Sequence, residues 1–337
     1  MTDWRHQEKK LRLLNAAQTI PFDITFLDDA LIGMMPIDLL LIGARTGRGK
    51  TALLSQLALN QGAKMRRVLF FALEADRYEI ERRILYRKMS QLFFANYQGS
   101  SFRFPRYREW LAGVSHGELD SIEEQAYEEL KYPLAEIDFL YSTERMRVSK
   151  FVELCEHLRD QYDCIIVDHF HYFIFEGNDV DGVKRAIGQI RDLHLETGKP
   201  IILAAQLRKT TGAASKALPD IDDFHGHSDL AKIATLTLLL SPAPQDVVGH
   251  GSLFPTWFHC GKSRTASETL PYVGLLTWDA VRNNYSKRYF VGKYSQFDQP
   301  ELISAQSELP DWAKNGQLAP AQEPTVYGGG RHGRDYD

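Results

Sequence analysis

Residues 38–43, DLLLIG, form an apolar strand that runs into Gly43-Ala44-Arg45-Thr46-Gly47-Arg48-Gly49-Lys50-Thr51, and an Ala/Leu-rich helix follows over 50–61. The stretch 43–51 matches G-x-x-x-x-G-K-[ST] in the strand–loop–helix context that gives the pattern its meaning. Its three glycines let the backbone wrap closely around a phosphate, and the helix N-terminus adds N–H donors. Lys50 is placed to reach the β- and γ-phosphates of a nucleotide, and Thr51 to ligate Mg²⁺. Gly43, Arg45, Gly47, Gly49, Lys50 and Thr51 therefore form the expected cofactor-binding set, for ATP with Mg²⁺. Arg45 either touches the nucleotide or a neighbour, or makes a surface ion pair.

The surrounding text alternates strand and helix. VLFFAL (68–73), IDFLY (137–141), CIIVDH (164–169), PIILAAQ (200–206) and TLTLLL (235–240) are apolar strands, and helical stretches cover 147–160 and 183–197. Such strands alternating with helices predict an α/β fold with a mostly parallel sheet covered on both faces. Segments 254–261, 270–278 and 286–292 have polar connections and suit an antiparallel C-terminal extension of the same sheet.

One ATPase domain is expected over 22–295, with a mainly helical insertion at 78–133 that is too long for an ordinary crossover. Before it, 1–21 carries a short amphipathic helix, 4–18, which either packs on its own domain or docks on a neighbouring subunit. The stretch 296–337 is expected to be a flexible tail, rich in Pro, Gly, Gln and Ala from Gln306 onward.

Composition narrows the class. Of 337 residues, 44% are hydrophobic, enough for one sizeable core or two modest ones. Lys plus Arg is 40 against 44 Asp plus Glu, which excludes a histone-like electrostatic binder. Three widely spaced cysteines do not make a disulfide scaffold or a four-cysteine zinc site. The longest apolar runs are too short to span a bilayer, so a soluble, cytoplasmic protein is expected.

Hydrolysis needs more than a phosphate loop. Asp168, ending the strand 164–168, suits the Mg²⁺ water shell, although a strand-end Asp also serves as a cap. Glu74 follows the strand 68–73 and can orient or deprotonate water, or it can pair with an arginine. Gln206 can present its amide toward a γ-phosphate.

Taken in order, these segments resemble the ATPase domain of the DnaB-type replicative helicases, within the RecA-like class. FFALE (70–74) looks like the family's strand ending in the catalytic Glu, and IERRIL follows it in place of an Arg-containing helix. IIVDHFHYF (165–173) is similar to the Asp-Tyr-Leu-Gln strand, and PIILAAQLRK (200–209) to the strand ending in Gln. FHGHSDLAKIA (224–234) resembles the turn and helix after the second channel loop, and GKSR (261–264) the Lys-x-Arg signature. The resemblance spans about 22–292. It implies that Lys262 and Arg264 act across a subunit interface on γ-phosphate held by the neighbour, in a homo-oligomer with a hexameric ring favoured. It also implies single-stranded DNA as cargo, and replication or recombination proteins as partners.

Arg208, Lys209 and Lys216 are the basic candidates for nucleic-acid contact, beside acidic stretches at 175–181 and 220–223. Phe170, Tyr172, Phe173 and Phe175 offer either base stacking or core packing, and Tyr285, Tyr289 and Phe290 either an adenine contact or a neighbour contact. The leading expectation is a helicase-like motor that hydrolyses ATP to bind, translocate on or unwind single strands. The alternative is a RecA-like loader, recombination mediator or regulatory scaffold without robust unwinding.

Overall fold

The computed structural model describes residues 4–45, 47, 49–96, 103–142, 144–177, 180–208, 218–224, 228–243, 253–279, 284–293 and 300–313. The strands, in chain order, are β1 (Leu39–Ala44), β2 (Val68–Ala72), β3 (Ile137–Tyr141), β4 (Cys164–Asp168), β5 (Ile201–Gln206), β6 (Leu236–Pro242), β7 (Leu253–Ser263), β8 (Tyr272–Asp279), β9 (Asn284–Lys293) and β10 (Glu301–Leu302). Among the described residues they form one sheet in the order β10-β9-β8-β7-β6-β1-β5-β4-β2-β3. Neighbours from β6 to β3 run parallel, and β7 to β10 continue antiparallel. The α/β architecture with an antiparallel C-terminal extension is as the strand pattern implies.

The parallel strands are apolar throughout because both faces are covered. Alternation along β1 shows this directly: Leu40, Ile42 and Ala44 enter one core, Leu39 and Leu41 the other. On the first face lie α2 (Thr25–Leu31), α3 (Lys50–Gly62), α4 (Glu79–Asn96) and α6 (Gly117–Ala135). The second face is covered by α7 (Val148–His157), α8 (Val180–Thr197) and α9 (Ser228–Ile233).

The helical insertion belongs to the first core. Ile80, Ile84 and Met89 of α4 and Leu119, Ile122, Ala126 and Leu130 of α6 are buried in it, with the short helix α5 (Tyr107–Leu111) between them. Helix α6 comes so close to α3 that a Cβ on Gly62 would stand 2.2 Å from the Pro133 carbonyl oxygen.

The C-terminal end of the chain differs from the sequence reading. Residues 300–313, expected to be part of a flexible tail, are folded: β10 pairs with β9, and Ile303, Leu309 and Ala313 are buried. The Trp312 ring sits 6.1 Å from Phe26 and 5.7 Å from Tyr272. Four apolar anchors thus fix a strap that its overall composition hides; residues 314–337 lie outside the described residues. At the other end, α1 (Trp4–Gln18) has no buried residue, with Trp4 68% and Leu13 64% exposed. It does not pack on its own domain. Among the described residues, no helix is long and apolar enough to cross a membrane.

Candidate active site

Four neighbouring strands deliver the chemistry to one edge. The last residue of β1, Ala44, pairs with Gln206 at the end of β5, and Ala72 at the end of β2 pairs with Asp168 at the end of β4. Glu74 follows two residues beyond β2. The carboxyl ends of adjacent parallel strands are where open α/β sheets bind ligands.

The phosphate loop leaves β1 and enters α3 through Gly49, which caps the helix with φ +80°, after Gly47 at φ +72°. Both angles lie in the left-handed region that a side chain penalises. A Cβ at Gly49 would also stand 3.2 Å from the Tyr285 hydroxyl, so the loop rests on that buried ring. The first turn of α3 has no side-chain cap and leaves N–H donors for an anion. Lys50 is buried and donates to the Ala44 carbonyl at 3.0 Å. Burial lowers the affinity of Lys50 for its proton, and the charges of Asp168 and Glu74 oppose that effect.

Thr51, in the first turn of α3, and Asp168 face each other closely enough for the threonine to favour the ionised carboxylate. Asp168 is buried, which pushes it up to about 6, with Thr51 pulling it back, Glu74 raising it further and Lys50 lowering it. Its Oδ1 is buried with no hydrogen-bond partner among the described residues. A hydroxyl and a buried, unsatisfied carboxylate oxygen form the hard-oxygen donor set that suits Mg²⁺. Bound there, Mg²⁺ would neutralise phosphate charge; Thr51 and Asp168 are the residues that would hold it.

Behind α3, the buried Arg87 of α4 donates to the Ala52 carbonyl at 3.1 Å and the Ser55 hydroxyl at 3.0 Å. Burial pulls its guanidinium down to about 10, still charged at neutral pH. The helix after Glu74 is thereby tied to the helix after the phosphate loop.

Lys262 and Arg264 lie elsewhere. Ser263 pairs with Leu236 at the start of β6, whereas Ala44 pairs with Leu240 four residues further along that strand. That is ~13 Å of strand between the two ends. Lys262 donates to the Ala231 and Lys232 carbonyls, both at 2.8 Å, and Arg264 to Lys232 at 3.4 Å. Both cations sit at the C-terminal end of α9, where carbonyl partial charges favour them. Within one subunit they are not brought to the phosphate loop.

Arg45 is half-buried beside the loop, and the exposed Arg208 follows β5, its backbone N–H bonded to the Asp223 carbonyl at 2.7 Å. Lys209 and Lys216 lie outside the described residues. Phe170 and Phe173 are core, and Phe175 packs against them, leaving Tyr172 as the exposed ring of that group. Tyr285 and Tyr289 are buried in the sheet core, which removes them as adenine or neighbour contacts.

The family of the DnaB-like helicase C-terminal domain matches residues 19–244, about two thirds of the sequence. The chain belongs to that family. As a DnaB-like domain it is also similar in fold to solved structures. An ATPase domain superposes with a TM-score of 0.64 at 15% identity, covering 85% of this chain and 98% of that one. A DnaB-like replicative helicase, described with its interactions with primase, gives 0.64 at 16%, covering 79% of this chain and 61% of that one. A KaiC-like protein from the hyperthermophilic archaeon Pyrococcus horikoshii gives 0.53 at 11%, covering 79% and 97%. These likenesses place the DnaB-like sheet within the RecA-like class. No curated protein sequence matches the chain.

The sequence reading assigned Tyr172 only to stacking or packing. In the fold partial burial, and then the charge of nearby Glu74, hold its hydroxyl above the ordinary tyrosine range, a proximity that no local pattern foretells.

Proposed function

We propose that this DnaB-like chain is a Mg²⁺-dependent ATPase whose active site is completed by a neighbouring subunit of a ring, and that hydrolysis moves it on single-stranded DNA. One observation carries the reading. Lys50, Thr51, Glu74, Asp168 and Gln206 converge on one edge of the sheet, while Lys262 and Arg264 occupy the opposite end of β6. In a ring of copies, the second edge of one subunit meets the first edge of the next. Lys50 and the loop backbone bind the β- and γ-phosphates, and Thr51 and Asp168 hold the metal. Glu74 orients the attacking water, and Gln206 reports on the γ-phosphate. The neighbour's Arg264, a rigid and permanently charged fork, compensates phosphoryl oxygens in the transition state with Lys262 beside it. A hexamer is the favoured ring, and the exposed α1 is the element best suited to dock on an adjacent copy.

A second reading, a loader or scaffold with little unwinding, draws support from local charge. Asp222 is exposed near Arg208, and an electronegative surface disfavours a phosphate backbone. Part of that acidity serves the fold: Asp220 accepts from its neighbour's N–H at 2.5 Å, and Asp223 accepts from the Asp220 N–H at 2.8 Å. Strand displacement on a forked DNA separates the readings. The motor predicts ATP-dependent displacement and ATPase stimulation by single strands; stimulation without displacement selects the loader.

A further inference from the structure

Strand β7 changes register against β6. Leu240 pairs with Phe258 and Leu238 with Cys260, but Thr237 pairs with Lys262, so Gly261 is an extra residue in β7. A bulge of this kind turns the side chains beyond it onto the opposite face. Phe258 and Cys260 point into the first core, and strict alternation would send Lys262 after them. Because Gly261 intervenes, Lys262 emerges on the second face, beside α9. The extra residue is a glycine, at a place where a Cβ would stand 2.9 Å from both Ile221 and Leu239.

On that face Lys262 is held firmly. Its ammonium donates to the Ala231 and Lys232 carbonyls, both at 2.8 Å, in the last turn of α9, where intrahelical partners run out. Helix α9 is itself anchored, with Leu230 and Ala231 buried in the second core. Two of the three ammonium donors are thus spent within the subunit.

Arg264 is placed differently. Its backbone N–H donates to the Thr235 carbonyl at 3.0 Å. The Thr235 hydroxyl donates to the buried Asp38 at 3.0 Å and accepts from the Leu39 N–H at 2.9 Å, at the start of β1. Beyond Arg264, the Ser263 hydroxyl accepts from the Ala266 N–H at 2.8 Å and closes a turn. The backbone is fixed on both sides of Arg264, yet the side chain is exposed, and its bond to the Lys232 carbonyl is long, 3.4 Å.

We infer that Lys262 is a positioning residue for Arg264: turned over by the Gly261 bulge, it bolts the end of β7 to α9 and sets where Arg264 leaves the subunit. The firmly bonded ammonium holds, and the loosely bonded guanidinium reaches. The inference rests on the reading of Arg264 as the group that works on the neighbour's γ-phosphate.

The test uses the full chain and compares wild type, Lys262→Met, Lys262→Arg, Arg264→Ala and the double variant of Lys262→Met with Arg264→Ala. Amide hydrogen exchange is followed without nucleotide. Turnover and KM for ATP are measured with Mg²⁺, using radiolabelled ATP for the slow variants. Lys262→Met keeps the stem and removes the ammonium. Exchange across 259–266 should quicken while that of α3 stays as in wild type. Turnover should fall roughly 10-fold, the scale on which a misplaced group loses rate. KM should stay within about twofold, since the phosphate loop is untouched. In the Arg264→Ala background, losing the ammonium should cost nothing further, because both changes disable the same group. Lys262→Arg, whose fork can still donate to two carbonyls, should recover most of the turnover. If Lys262→Met fails to fold, Lys262→Gln, which keeps a donor on a shorter stem, makes the same comparison.

Lost turnover with unchanged exchange would overturn the inference and put Lys262 on the neighbour's phosphate instead. Faster exchange with wild-type turnover, or an equal loss with and without Arg264, would also overturn it. Normal hydrolysis by Arg264→Ala would remove the shared-site reading and this inference together. A slow Arg264→Ala beside a fully active Lys262→Met would remove Lys262 alone.

Discussion

Thr51, in the first turn of α3, favours the ionised carboxylate of Asp168 at the end of β4, against the burial that raises it. One oxygen of that carboxyl group stays buried without a partner among the described residues, a costly arrangement unless a ligand completes it. Asp168→Asn should therefore leave ATP binding in EDTA close to wild type while abolishing the gain in affinity on adding Mg²⁺. Turnover should fall roughly 100-fold or more, as expected when a metal loses a ligand that fixes it. Calorimetric titration of ATP with and without Mg²⁺ reads both effects, and a variant that keeps its Mg²⁺ dependence would remove Asp168 from the metal site.

Lys50 and Glu74 should separate binding from chemistry. Lys50→Ala removes a buried ammonium at the phosphate loop, so triphosphate affinity and turnover should both collapse. Glu74→Gln should bind ATP normally and lose roughly 100-fold or more in turnover, the range for a lost general base. Equilibrium binding beside steady-state kinetics distinguishes them. A collapse of affinity in Glu74→Gln would make Glu74 structural.

Gly62 tests whether the helical insertion is part of the ATPase core. A Cβ there would run into the Pro133 carbonyl oxygen, a backbone atom that cannot swing away as a side chain could. Gly62→Ala should cost about 1–3 kcal/mol, or more, by overpacking α3 against α6. Chemical denaturation should show a single transition at lower denaturant. A wild-type midpoint would mean that α6 does not rest on α3.

His259 sets part of the acid sensitivity of the fold. Burial pushes its imidazole below the ordinary value, against the opposing pull of the Pro219 carbonyl and the Asp220 charge. The unfolded chain takes up this proton near pH 6.5 while the folded chain resists it. Its stabilising contribution is thus complete above about pH 6.5 and declines as pH falls below that value. Melting temperature should drop less between pH 7.5 and 5.5 in His259→Asn than in wild type; equal slopes would assign the acid sensitivity to other groups.

Much of this site was legible because it lies in short, contiguous stretches. DLLLIG followed by 43–51 announces its own loop, and apolar runs ending in Asp168, Glu74 and Gln206 announce strand ends. What escaped depends on contacts distant in sequence. Tyr172 looks like one aromatic among four until the fold brings it near the Glu74 charge. Tyr285 and Tyr289 alternate with polar residues like exposed strand positions, yet the strap at 300–313 and α2 cover that face. The strap mixes its apolar residues among polar ones without a regular period, and α2, although Phe26, Leu27, Ala30 and Leu31 fall on one face, is only seven residues long. The exposure of α1 follows from tertiary packing, which its own amphipathic pattern does not encode.

The central claim is that one subunit's phosphate loop works with its neighbour's Arg264. It is tested most directly by mixing two inactive variants, Lys50→Ala and Arg264→Ala, under conditions where subunits exchange, and measuring ATP hydrolysis. At some interfaces the intact phosphate loop of the Arg264 variant meets the intact Arg264 of the Lys50 variant. Hydrolysis should reappear there, and a chain carrying both substitutions should not restore it when mixed with the Lys50 variant. Exchange without any recovery, together with a nucleotide-bound structure holding Arg264 far from every γ-phosphate, would contradict the shared site.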